Sequence, residues 1–184
     1  SNYLVINTNK GRLTAKGNSI SGYQQIGNAK AYLYLETEQQ PTTTYALSDG
    51  KIKNISEKDN CIVFHFADAR QINIRYGVSF ISEEQAKNNL IREIPDYNID
   101  KIIEQGRNIW NEALGKIKVK GSDENQKTIF YTSMYRVYER PICISEDGHY
   151  YSGFDGKIHD DGGTPFYTDD WLWDTFRAAH PLRI

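Results

Sequence analysis

From Tyr3 to Ile81, apolar and polar positions alternate in short runs: YLVIN, RLTAK, SISGY, AYLYLET, TYALS, CIVFHF and QINIRYGVSFI. A period of two sends successive side chains to opposite faces, so each run predicts a β-strand. Gly11, Gly17, Gly22, Gly27, Asp49-Gly50 and Asp59-Asn60 supply turn chemistry between the runs, at the spacing of an antiparallel meander. AYLYLET sets Tyr32 and Tyr34 on one face and Leu33 and Leu35 on the other, which suits a strand covered on both sides. The pattern predicts a β-sandwich, or the latter part of one.

After Ile81 the period lengthens to that of a helix. Ser82 followed by Gln85 spells a capping box, and Glu83 and Glu84 place negative charge at the positive end of the helix dipole. This short helix should run to about Arg92, with Pro95 ending it. Ile99, Ile102, Ile103, Ile109, Trp110, Ala113, Leu114 and Ile117 then form one apolar stripe of a second helix, terminated by Gly115. A third helix begins at Ser122 or Asp123, carries Ile129, Phe130, Met134 and Val137, and stops before Pro141. Tyr131, Tyr135 and Tyr138 make a second stripe along it. Ser145 to Pro165 has no apolar period, yet its length and its aromatics Tyr150, Tyr151 and Phe154 argue for an ordered, functional loop. Thr168 or Asp169 caps a last helix that closes at His180-Pro181. The order is β first and α afterwards, with a boundary near residue 82, which predicts an α+β arrangement or two domains.

The 184 residues are 39% hydrophobic and 12% aromatic, ample for packed cores, and the net charge is −2. No Lys/Arg cluster is dense enough to track phosphates, so no nucleic-acid partner is expected. No apolar run approaches the ~20 residues of a membrane span, and the first residues lack the layout of a signal peptide. Cys61 and Cys143 make neither a disulfide framework nor a metal knuckle, and Cys61 in CIVFHF reads as a small buried hydrophobe. Asn54-Ile55-Ser56 matches the N-glycosylation sequon, a spelling common by chance. Nucleophile-elbow, P-loop and dinucleotide spellings are all absent.

The densest chemistry lies in YTDDWLWDTFRAAHPL, Tyr167 to Leu182. Indole faces cover the C–H faces of a pyranose and carboxylates accept its hydroxyl protons, so this segment has the composition of a sugar pocket. On a continuous helix Asp170, Trp173, Asp174 and Arg177 share one face, while Leu172, Phe176 and Ala179 share another. The bland reading is an exposed charged ladder in which Arg177 pairs with Asp174. Trp171 and Trp173 weigh against it, because a solvated face rarely carries two indoles beside paired carboxylates. Asp170 and Asp174 are rejected as an acid–base couple: one helical turn apart, both would approach the sugar from the same side. Glu146-Asp147-Gly148 and Phe154-Asp155-Gly156 have calcium-loop spelling but lack alternating oxygen ligands, and turn-forming Asp-Gly pairs explain them better. His149 and His159 are too loosely spaced for a zinc site to be inferred.

QKTIFYTSMYR, SEDGHYYSGFDGKIH and YTDDWLWDTFRAAHPL, in that order, resemble glycoside hydrolase family 92, the bacterial exo-acting α-mannosidases. The stretch GVSFISEEQAKNNLIREIPDYNIDKIIEQGRNIWNEAL resembles that family's junction between sandwich and helical domain, and AYLYLETEQQP one of its sandwich strands. The resemblance implies the C-terminal part of an antiparallel β-sandwich over 1–81, a helical linker over 82–121, and the first helices of an (α/α)6 barrel over 122–184. It implies a calcium-dependent inverting enzyme that removes terminal mannose from glycans, in the bacterial periplasm, at the cell surface or secreted. The family's acid, base and calcium ligands lie downstream of the WDT motif, so the chain is expected to be an inactive fragment without catalytic or metal residues. Asp174 matches the aspartate that binds mannose hydroxyls, and Trp173 the neighbouring tryptophan that contacts the sugar or braces that aspartate. The commoner family spelling is closer to YTNFSLWDT; here Asp169, Asp170 and Trp171 replace its middle residues.

Two other readings stay open on sequence grounds. Trp-Asp-Thr on a barrel helix also resembles α-glucosidases and trehalases, where the aspartate can be catalytic. The Tyr-rich strands also fit a non-enzymatic carbohydrate-binding module, although such tyrosines more often serve as core and edge residues.

Overall fold

A computed structural model describes residues 1–48, 51–55, 59–121 and 123–183. Asp49-Gly50, Ser56 of the sequon and Ser122 therefore lie outside the described residues. Strands β1 (Asn2–Asn7), β2 (Gly11–Lys16), β3 (Ser19–Ile26), β4 (Ala29–Thr37), β5 (Thr43–Ser48), β6 (Lys51–Lys53), β7 (Cys61–Phe66) and β8 (Ile74–Ser79) come first. Helices α1 (Glu83–Glu93), α2 (Ile99–Leu114) and α3 (Glu124–Val137) follow. Short strands β9 (Ile142–Cys143), β10 (His149–Tyr151), β11 (Ile158–Asp160) and β12 (Tyr167–Thr168) precede short helices α4 (Leu172–Thr175) and α5 (Ala179–Arg183). The chain divides into two units, Ser1–Tyr97 with Glu146–Asp160, and Asn98–Ser145 with Asp161–Ile184.

In the first unit two four-stranded antiparallel sheets run β1-β7-β5-β6 and β2-β3-β4-β8. Every alternating run is a strand, but the order is not a simple meander. Only β2-β3-β4 and the β5-β6 pair follow one another in these two sheets, and the chain changes sheets between β1 and β2, β4 and β5, and β7 and β8. The reason is burial: Leu13 and Ile20 of one sheet and Ala46, Ile62, Phe64 and Phe66 of the other form a single core. Each large side chain buried there contributes about 1.5–3 kcal/mol. β6 carries the pattern Lys-Ile-Lys, too short to show a period, and pairs at the edge of β5. Cys61 is half-buried rather than buried, because it opens β7 opposite Asn7 while Ile62, Val63 and Phe64 take the sheet centre.

β4 is covered on both sides, as its alternation predicts: Leu35 is buried, and on the other face Lys87 of α1 stands 5.3 Å over the Tyr34 ring. Gly77 of β8 makes the close approach of α1 possible. A Cβ there would lie 2.2 Å from the Ala86 carbonyl oxygen and 2.9 Å from Leu90 Cβ. Ser82 caps α1 by accepting the Gln85 N–H at 3.0 Å. The reciprocal half of the capping box is missing: the Ser82 N–H donates to Ser79 Oγ at 3.4 Å rather than to Gln85, whose amide nitrogen donates to Asn89 Oδ1 and to Asp147. Beside the helix, Arg75 pairs with Glu36 at 2.7 Å and donates to the Ile94 carbonyl. Burial works to raise the Glu36 carboxyl, but hydrogen bonds from Tyr34 and Arg75 outweigh it and hold the group below the usual glutamate range.

The polar stretch after Ser145 is ordered by contacts within this unit. The Glu146 carboxylate accepts the Phe80 N–H at 3.0 Å and the Asn89 amide at 2.7 Å, while Asp147 pairs with Arg92. Asp147 and Gly148 take φ of 51° and 87°, which makes the turn that Asp-Gly chemistry predicts. β10 and β11 then pair as a hairpin, with Tyr151 stacked on Phe80.

In the second unit Asn98 and Asp123 cap α2 and α3, and Gly115 ends α2. The tyrosine stripe of α3 faces the end of α2. Trp110 packs 4.5 Å from Tyr135 and 6.0 Å from Tyr138, whose hydroxyl donates to the Ala113 carbonyl. The Tyr131 hydroxyl donates to the Ile117 carbonyl. Along the isoleucine stripe of α2, Ile99 and Ile109 remain 68% and 66% exposed.

Candidate sugar-binding site

The segment expected to be one continuous helix is built in three pieces, and this changes the geometry of its carboxylates. Tyr167 and Thr168 pair with Cys143 and Ile142, and the helix begins only at Leu172, so Thr168 stands too far upstream to cap it. Asp169 reverses direction in the left-handed region at φ 66°. Aspartate tolerates that region better than most residues, at a cost of about 1 kcal/mol or more. Helix α4 then spans only Leu172–Thr175, with Trp171 in the cap position and no side-chain cap. After a break, Pro181 falls in the first turn of α5, where its missing N–H loses no helical bond. Asp170 therefore precedes the helix and does not share a helical face with Asp174.

The two aspartates differ in their partners. The side chain of Asp170 is 26% exposed: its Oδ1 lies 3.2 Å from the Thr175 hydroxyl, and its Oδ2 3.0 Å from His180 Nε2 and 3.9 Å from Arg183. The neighbouring residues are held by Arg140, whose guanidinium lies 2.7 Å from Asp169 Oδ1 and 4.0 Å from the Trp171 ring centroid. Arg183 closes the circuit by donating to the carbonyls of Val137, at 2.7 Å, and Arg140. Asp174 and Trp173, by contrast, stand in the open, with Trp173 85% exposed. Arg177 lies over the Phe176 ring, 5.3 Å from its centroid, rather than forming the ladder with Asp174 that helical spacing allows. Arg140, His180 and Arg183 carry no local signal of this role, since their partners are either distant in sequence or brought near by the chain reversal.

One depression of about 420 Å³ is lined by Met134, Val137, Tyr138 and Leu182 among others, and neither Trp173 nor Asp174 lines it. Among the described residues no three His, Cys, Asp or Glu side chains converge to hold a metal ion. His149 and His159 serve the hairpin: His159 Nε2 lies 3.0 Å from Asp155 Oδ2, and His149 Nδ1 3.3 Å from the Asp147 carbonyl. No helix among the described residues is long and apolar enough to cross a membrane.

Residues 85–184, more than half of the chain and including the WDT turn, match the family model described as the glycosyl hydrolase family 92 catalytic domain. The chain belongs to glycosyl hydrolase family 92. Family 92 proteins also supply its structural neighbours. An inverting mannosidase of the family from Bacteroides thetaiotaomicron superposes with a TM-score of 0.78 at 27% identity, over 98% of this chain and 27% of the other. A family 92 α-mannosidase from the same bacterium, solved also in complex with mannoimidazole, shares the fold at TM-score 0.77 and 24% identity, over 94% of this chain and 25% of that one. An uncharacterized secreted glycosidase of Arthroderma benhamiae is 39% identical over 71 residues, 36% of this chain and 9% of that protein. The chain thus spans about a quarter of the length of the solved mannosidases it matches.

Proposed function

We propose that this chain is part of an inverting, exo-acting α-mannosidase that hydrolyses terminal α-linked mannose from glycans, and that Asp174 and Trp173 form one wall of its terminal-sugar subsite. The observation that carries this reading is the open Asp174 carboxylate beside an 85% exposed indole in a family 92 chain. An ionised carboxylate accepts two hydroxyl protons, and charge-assisted hydrogen bonds of this kind are about twice as strong as neutral ones. The indole supplies an apolar face for sugar C–H groups, or braces the aspartate. Asp170 has neither freedom, since its oxygens face Thr175, His180 and Arg183. The mannoimidazole complex of a structural neighbour supports a mannose-type ligand.

In this reading residues 1–81 are the end of a β-sandwich, 82–121 a helical linker, and 122–184 the opening helices of an (α/α)6 barrel. The general acid, general base and calcium ligands belong to the remainder of the enzyme, and calcium would help hold the terminal mannose there. Similarity to the secreted glycosidase of Arthroderma benhamiae supports a location outside the cytoplasm. Assays of the isolated chain and of the complete enzyme on α-linked mannobioses, with calcium, test both halves. Turnover by the 184-residue chain, or none by the complete enzyme, defeats the proposal. Asp174→Asn in the complete enzyme is expected to weaken mannoimidazole binding by about tenfold, the size of one charge-assisted hydrogen bond.

A further inference from the structure

The four-residue helix α4 is held by few bonds of its own: the N–H groups of Asp174 and Thr175 and the Thr175 hydroxyl to the Trp171 carbonyl, and the N–H of Phe176 to the Leu172 carbonyl. A single helical turn is unfavourable by itself, because nucleation fixes several residues for few hydrogen bonds. The direction in which Asp174 and Trp173 point must therefore be set from outside the turn. Asp170 reaches both ends of the problem: Oδ1 lies 3.2 Å from the hydroxyl of Thr175, which it shares with the Trp171 carbonyl, and Oδ2 stands in ion-pair range of His180, at 3.0 Å, and of Arg183, at 3.9 Å, on α5. Arg183 is in turn bonded to the end of α3 through the Val137 carbonyl. On the other side Arg140 holds Asp169 and Trp171, the residues flanking Asp170.

We propose that Asp170 is a positioning residue, which clamps the α4 turn to α5 through Thr175 on one oxygen and His180 and Arg183 on the other, and so fixes the orientation of Asp174. Its carboxylate does not touch the sugar. The inference rests on the reading that Asp174 binds mannose. It accounts for two aspartates in one short motif: one is spent on geometry so that the other meets the ligand pre-oriented, which lowers the ordering cost of binding.

A double-mutant cycle in the complete enzyme tests it, with mannoimidazole titrated calorimetrically against Asp170→Asn, Asp174→Asn and the pair. Asp170→Asn keeps the side-chain volume and the acceptor for Thr175 but removes the charge that faces His180 and Arg183. Alone it should weaken binding about threefold to tenfold, and added to Asp174→Asn it should weaken binding no further, because residues acting through one another are not additive. Asp170→Glu, which restores the charge on a longer stem, should recover part of the loss. A merely structural role would lower the unfolding temperature without this non-additivity. If Asp174→Asn binds as the parent does, the subsite reading fails and the inference falls with it. If Asp174→Asn weakens binding while Asp170→Asn is silent or additive, only the positioning role is overturned. Should Asp170→Asn not fold, His180→Gln carries the same cycle, with the same non-additive result expected and an additive one fatal.

Discussion

The Asp170 carboxylate stands 3.0 Å from His180 Nε2, and this contact separates it from Asp174, whose carboxylate faces solvent. The asymmetry has a consequence for stability. Asp174→Asn should stay within about 0.5 kcal/mol of the parent, as exposed substitutions do. Asp170→Ala leaves His180 and Arg183 without their carboxylate and should cost about 1–2 kcal/mol. Calorimetric unfolding of the two variants checks this, and equal losses would contradict it.

The Glu36–Arg75 pair predicts an acid-sensitive term. The folded-state carboxyl of Glu36 lies below its ordinary value, since Tyr34 and Arg75 outweigh the opposing effect of burial. Its contribution is therefore present above the unfolded value of about 4.3 and is lost as pH falls from there through the lower folded value. Glu36→Gln should flatten the dependence of unfolding temperature on pH in that window while leaving the slope near neutrality unchanged. An unaltered acid limb would show that Glu36 does not drive it.

Gly77→Ala should loosen α1. The added methyl would meet the Ala86 carbonyl oxygen at 2.2 Å, and backbone cannot yield as a flexible side chain can. Overpacking of this kind costs about 1–3 kcal/mol, and more where nothing relaxes. Gly153→Ala, with nothing within 4 Å of the new atom, is the control and should leave the denaturation midpoint in place.

At the hairpin, the hydrogen bond from His159 holds the Asp155 carboxyl below the usual aspartate range, against a smaller opposing desolvation and with help from the Lys157 N–H. A carbon-detected NMR titration should find its midpoint low, and His159→Gln should return it toward the ordinary value of about 3.9. A midpoint that ignores the substitution would show that the contact is not maintained in solution.

Strand and helix positions are legible in the sequence because period and caps are local. CIVFHF pairs as β7 wherever its partners lie, and Asn98, Asp123 and Gly115 stand at helix ends as their chemistry directs. The last segment misleads for the same reason. From Asp169 to His180 its spacing fits a helix, yet the pairing of β12 with β9 and the turn at Asp169 set the chain direction before the helix can begin. Ile142 and Cys143 decide that from more than twenty positions away, and periodicity within the segment carries no trace of them.

The order of amino acids alone settles which residues alternate, which repeat with helical spacing, and that Trp173, Asp174 and Thr175 stand together, because these properties involve near neighbours in the chain. Membership of family 92 is shown by the match of residues 85–184. Sheet order, the seating of α1 on Gly77 and the different fates of Asp170 and Asp174 were decided by tertiary structure. Each depends on a partner that folding brings close, and a carboxylate becomes clamp or ligand according to what stands within hydrogen-bond reach of it.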